Sequence, residues 1–196
     1  MHNESLLKHC SIIIAKVLII GIGATIIMDL WGIALALISH SSYEWSTVGR
    51  MIGYLLRGEW LWHDGVMRAA LPHENMLGWI THYTIGILYG LFYVIFCNDG
   101  FHQKADLLES LSFAWFLMIF PLGVLAPISG NGFFNLETHT PLINLIYTFF
   151  SHSCFGVGLW ACYIAVNKTL WNHEHMEFIN HPIHTWHQIM HKIKKD

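Results

Sequence analysis

Residues 12–38 read IIIAKVLIIGIGATIIMDLWGIALALI. The run exceeds the roughly 20 apolar residues that span a bilayer. Yet it carries an acid, Asp29, well inside its ends. Asp29 continues a stripe that begins with Gly21 and Thr25, at the four-residue spacing that stacks side chains on one helix face. Two later segments repeat the device. Gly78, His82, Gly86 and Gly90 form one stripe, and Asn144, Thr148, His152 and Gly156 form another. A charge at the centre of a membrane helix costs about 3 kcal/mol or more unless it faces a partner or water. Asp29, His82 and His152 are therefore expected to point at one another inside a bundle.

The whole chain fits that setting. Its 196 residues are 54% hydrophobic and only 12% charged, where a soluble domain has about 25% charged. Mean hydropathy is +0.45. Four segments reach spanning length, at residues 12–38, 76–97, 107–127 and 141–166. Pro121, Gly123 and Pro127 are expected to kink or end the third. Asn131-Gly132 marks a turn, and Pro141 after Thr140 suits the first turn of the fourth. The expected fold is all-α: a polytopic membrane protein with four transmembrane helices in a bundle. One domain covers residues 1–170, and a His/Lys-rich amphipathic tail covers 171–196. The first run is too long for a signal-peptide core, so it reads as a retained helix.

The 39–75 connection is too apolar for a plain loop. Val48, Met51, Ile52 and Leu55 recur at helical spacing after a candidate cap, Ser46. This predicts an interfacial amphipathic helix between spans 1 and 2, anchored at headgroup level by Trp45, Trp60 and Trp62. In the tail, Ile183, Trp186, Ile189, Met190 and Ile193 share one helical face beside Lys192, Lys194 and Lys195. That face suits an anionic lipid surface. The lipid bilayer is thus an implied partner. Nucleic acid is not, at a net charge of -3. Lys8, Lys16, Lys104 and Lys168 would lie inside, and Arg50, Arg57 and Arg68 outside, if both termini are cytoplasmic. The 128–140 loop has neither Lys nor Arg, which favours that orientation.

At 1.5 Å per residue, Asp29, His82 and His152 lie about 14, 9 and 16 Å below one membrane face. Asp and His at such depths can form a proton relay, a hydrogen-bonded pair that fixes helix register, or part of a metal site. Arg50 and Tyr83 are second-choice members of the same ligand or proton site. Gly86 and Gly90 form a GxxxG pattern, and with Gly78 and Gly156 they are read as helix-packing positions. These glycine faces could also join a second copy or a partner membrane protein. His82 and His152 each precede a glycine by four residues, which resembles a parallel repeat of two-helix units. In the tail, His184, His187 and His191 line one helical edge and could hold Zn, Cu or Ni. No acid or thiolate falls at matching spacing, so a solvated face is the plainer reading. The four cysteines form no CxxC or zinc spacing.

Walker, GxGxxG, GxSxG, HExxH and CxxCH signatures are all missing. No reaction can be named, the cofactor stays unknown, and the reading leans away from an enzyme. Several motifs nevertheless go together: Met28-Asp29-Leu30-Trp31, Val48-Gly49-Arg50 with Gly53, Gly78-Trp79 with His82-Tyr83 and Gly86, and His152 with Phe155-Gly156 and Gly158. In these the chain resembles a bacterial family of small inner-membrane proteins classed as a domain of unknown function. The resemblance runs from about residue 17 to 168. It implies a multi-pass protein of the bacterial inner membrane and supplies no catalytic residue. The function read here is a small transport, ligand-binding or accessory protein with an intramembrane Asp/His centre. The alternatives are a metal- or haem-binding membrane protein and a structural subunit of a larger membrane complex.

Overall fold

A computed structural model describes residues 2–63, 66–97 and 105–170. Helix α1 spans His2–Ile38 and α2 spans Ser46–Leu55. Strands β1 (Trp62–His63) and β2 (Val66–Met67) pair antiparallel in a minimal hairpin. Then come α3 (Glu74–Cys97), α4 (Leu107–Leu117), a π turn (Pro121–Leu125), α5 (Ala126–Ile128), a 3-10 turn (Phe133–Asn135) and α6 (Pro141–Leu170). Four stretches are long and apolar enough to cross a membrane: Ile13–Ile38, Glu74–Phe96, Leu107–Ile128 and Pro141–Asn167. The protein is an all-α polytopic membrane protein. The tail, 171–196, with the expected metal candidates His184, His187 and His191, lies outside the described residues.

Large apolar side chains point outward along the bundle. Leu37, Ile80, Phe96, Phe116 and Leu142 are all exposed. Lipid makes this arrangement stable, because tails solvate such groups as well as a core does. The interior holds Ile20, Ala24, Tyr93, Ala114, Leu159 and Tyr163 instead. Small residues set the helix spacing. A Cβ on Gly90 would stand 2.8 Å from Gly21 Cα, and one on Gly158 would stand 2.7 Å from Ala24 Cα. So α1 lies backbone to backbone with α3 on one side and α6 on the other. Helix α4 packs along α6 and touches α3 only sparsely.

One local expectation needs correction, and another resolves between its two outcomes: Pro121 interrupts the α ladder without ending the third span. The chain passes through the π turn, where the Ala126 N–H reaches the Pro121 carbonyl, and the span continues to Ile128. A π turn accommodates a residue that the α ladder cannot, and such turns gather at functional sites. Ser46 is not the cap of α2. Trp45 holds that position, and Ser46 Oγ donates to Glu44 Oε2 at 2.9 Å. The buried face of α2 is Gly49, Met51, Gly53 and Tyr54. Glycine is needed there because a Cβ on Gly49 would overlap the Glu74 carbonyl of α3.

Candidate functional site

Asp29 lies on α1 and is 4% exposed. Two groups converge on its Oδ1. The Tyr43 hydroxyl donates at 2.8 Å, and His82 Nε2 stands at 2.9 Å. With Oδ1 accepting, His82 carries its proton on Nε2, which leaves Nδ1 bare in the neutral ring. Asp29 Oδ2 is buried and makes no hydrogen bond among the described residues. Tyr83 and Tyr147 lie within reach of the Asp29 charge. Burial, and then the neighbouring carboxylate, pushes the Tyr43 phenol far above its ordinary pKa, so it remains a donor at physiological pH.

Tyr43 and Trp45 come from the segment joining α1 to α2. Their seats are two glycines. A side chain on Gly32 would overlap the Tyr43 ring, and one on Gly78 would overlap the Trp45 carbonyl. Trp45 therefore folds inward and stacks on His82, with centroids 3.8 Å apart and planes at 19°. Trp79 and Tyr83 present edges to the same imidazole at 6.1 and 5.7 Å. Of the three tryptophans expected at headgroup level, Trp45 is thus a wall of the site. Trp60 is exposed. Sequence reasoning missed Tyr43. The available signal was Gly32, three residues after Asp29 on the same helix face.

His152 does not hydrogen-bond to Asp29. Its Nδ1 stands 3.0 Å from the Thr148 carbonyl of its own helix. A carbonyl only accepts, so Nδ1 carries the proton and Nε2 is bare. His82 and His152 both border one cavity of ≈ 80 Å³. Thr25 and Met28 of α1 also line it, as do Tyr89 of α3, Pro121 and Leu125 of the π turn, Phe155 of α6, and Trp45. The Thr25 hydroxyl is already spent on the Gly21 carbonyl at 2.8 Å.

Arg50 stands apart from this centre. Its guanidinium grips Glu74 through Nε at 2.8 Å and Nη2 at 2.7 Å. Glu74 also accepts the Leu71 N–H at 2.8 Å. The pair pins α2 to the start of α3, and the Glu74 hydrogen bonds raise the arginine pKa further. Tyr83 flanks His82. Gly78 meets Trp45, Gly86 meets Thr25, Gly90 meets Gly21, and Gly156 meets Ala114. All four glycines make these contacts within the chain. Among the described residues, no three His, Cys, Asp or Glu side chains converge.

A family model described as a protein of unknown function, DUF2938, matches residues 18–166. No curated protein and no solved structure matches the chain. The matched region holds all four spans from Leu18 onward, and with them Asp29, Tyr43, His82 and His152. This chain belongs to DUF2938, a family of proteins of unknown function.

Proposed function

We propose that the protein binds a small, electron-pair-accepting ligand within the membrane, in the cavity between His82 and His152. One observation carries this reading. One nitrogen of each imidazole is held, by Asp29 Oδ1 or by the Thr148 carbonyl, so each neutral ring would keep its other nitrogen bare beside the cavity that both rings border. Two such nitrogens suit a cation or a hydrogen-bond donor. Asp29 would balance a positive ligand in a medium where an isolated charge is costly. The cavity of ≈ 80 Å³ is well below the roughly 300–1,000 Å³ of pockets for drug-sized ligands. It holds an ion or a few waters and has no room for haem.

We place the protein in the bacterial inner membrane as a binding or transport protein, with both termini cytoplasmic. A reporter fused to the C-terminus should read as cytoplasmic, and a periplasmic signal would reverse that orientation. For the site, native mass spectrometry of protein released from its own membranes is the direct test. The wild type should carry a small adduct that His82→Gln with His152→Gln lacks. Identical spectra would overturn the binding reading.

A second reading rests on Tyr43 and His82 sharing one oxygen of Asp29, which ties three chain segments together. On this view the cluster only fixes helix register. Asp29→Asn separates the two, because Asn keeps an accepting oxygen but loses the charge. A register role predicts an unchanged adduct, and a binding role predicts its weakening.

A further inference from the structure

We propose that the cavity takes the hydroxyl end of a neutral lipid alcohol from the surrounding bilayer, with the hydroxyl donating to His152 Nε2. This assignment rests on the binding reading above and takes its hydrogen-bond donor rather than its cation.

The wall decides the class of ligand. Met28, Ile85, Phe120, Pro121, Leu125 and Phe155 all line the cavity with apolar groups. The Thr25 hydroxyl is spent on its own helix. A buried water makes about three hydrogen bonds, and an ion needs several ligands, so neither is well served here. A chain that ends in one hydroxyl needs a single acceptor. His152 offers it. Its Nδ1 is held at the Thr148 carbonyl, so the bare nitrogen is Nε2, on the ring edge away from its own helix. His82 is the poorer acceptor. Its Nε2 already meets Asp29, and Nδ1 is the ring nitrogen nearer its own backbone.

The cavity also has the polarity of one leaflet. The histidines lie toward the α2 end of the bundle, where Trp45 stacks on His82. The apolar wall runs away from them toward the membrane centre. Tyr89 lies about 10 Å further along α3 than His82, and Phe155 follows His152 on α6. A lipid of that leaflet has the same order, with its polar head near the surface and its chain toward the middle. The way in is apolar as well. Phe120 both lines the cavity and is exposed, and α4 touches α3 only sparsely. The cavity thus reaches the lipid-facing surface beside the π turn. At ≈ 80 Å³ it admits the end of a chain, and the rest of the chain stays among the bilayer tails.

The experiment is photolabelling of the full-length protein in lipid nanodiscs, with hexadecanol that bears a diazirine near its hydroxyl. Labelled peptides are mapped by mass spectrometry. Saturable label is expected on the segments that hold Ile85, Leu125 and Phe155, and plain hexadecanol should displace it. Hexadecyl methyl ether keeps the oxygen and the chain but has no O–H to donate. It should compete about tenfold less well, the effect of leaving a buried acceptor unmet. His152→Phe keeps a ring and removes the acceptor, and its apparent affinity for hexadecanol should fall by about the same factor.

Equal competition by the ether would overturn the proposal, and so would labelling of His152→Phe at wild-type affinity. If His152→Phe does not fold, the ether comparison on wild type decides alone. If no saturable label appears but native mass spectrometry shows an adduct that the double histidine variant loses, the alcohol assignment fails and the binding reading stands. If neither label nor adduct is found, both fail.

Discussion

The two halves of the bundle carry one packing motif and hold their histidines in different ways. In the α1–α3 pair, His82 precedes Gly86, and Gly86 sits against Thr25. In the α4–α6 pair, His152 precedes Gly156, and Gly156 sits against Ala114. Four residues beyond those contacts, α1 offers Asp29, while the residue just past the end of α4 is Met118. His82 therefore finds a carboxylate on the neighbouring helix. His152 finds no carboxylate and turns to a carbonyl of its own helix. The shared His-x-x-x-Gly pattern governs how closely two helices approach. The residue opposite decides what the histidine can do.

The sharpest way to break this comparison is to truncate each histidine. His82→Ala removes a partner from a buried carboxylate, for which the cost is about 3 kcal/mol or more. His152→Ala removes a bond to a carbonyl that keeps its place in the helix ladder, and should cost about 1 kcal/mol. Thermal unfolding in one detergent should rank them in that order. Equal losses would mean that Asp29 does not depend on His82.

The glycine contacts come next. Gly90→Ala drives a methyl group onto the Gly21 backbone at 2.8 Å. We expect a net loss of about 1–2 kcal/mol, after the roughly 1 kcal/mol that alanine returns through helix propensity. Tyr43→Phe should follow, at about 1 kcal/mol for one lost hydrogen bond, with the Asp29–His82 contact intact. Its unfolding midpoint should fall less than that of His82→Ala.

Gly156→Ala should have the smallest effect. Its methyl would stand 3.0 Å from the Ala114 side chain and the Ser110 carbonyl. A shift of a few tenths of an ångström accommodates it, so propensity and crowding should nearly cancel, within about 0.5 kcal/mol of wild type. A large loss there would show that the second half packs as rigidly as the first.

Much of the fold was legible in the sequence. The span ends read from hydropathy lie within two residues of the apolar spans observed. Pro141 opens α6, where a proline costs nothing because its missing N–H would be unpaired in any case. The sequence left open whether Pro121 would kink or end the third span. Whether a proline ends a helix or enters a π turn depends on the neighbours that hold the freed backbone groups, and these are not adjacent in sequence. Trp45 was not legible as a wall of the site for a related reason. Tryptophan is at home at headgroup level and in a protein interior alike. Here the notch at Gly78 lets the backbone approach closely enough to stack the indole on His82.

The sequence by itself determined that this chain lives in a membrane, where its apolar spans begin and end, and which ionisable residues sit in apolar helices. Hydropathy, helix period and the cost of charge in lipid are local quantities and can be read one segment at a time. Only the tertiary structure decided that Asp29 pairs with His82 and Tyr43, that His152 borders the same cavity as His82, and that Arg50 serves Glu74. Those pairings depend on how each helix is rotated about its axis and how closely it meets its neighbours. Contacts such as Gly21 on Gly90 and Ala24 on Gly158 set both, and they join residues that no local pattern connects.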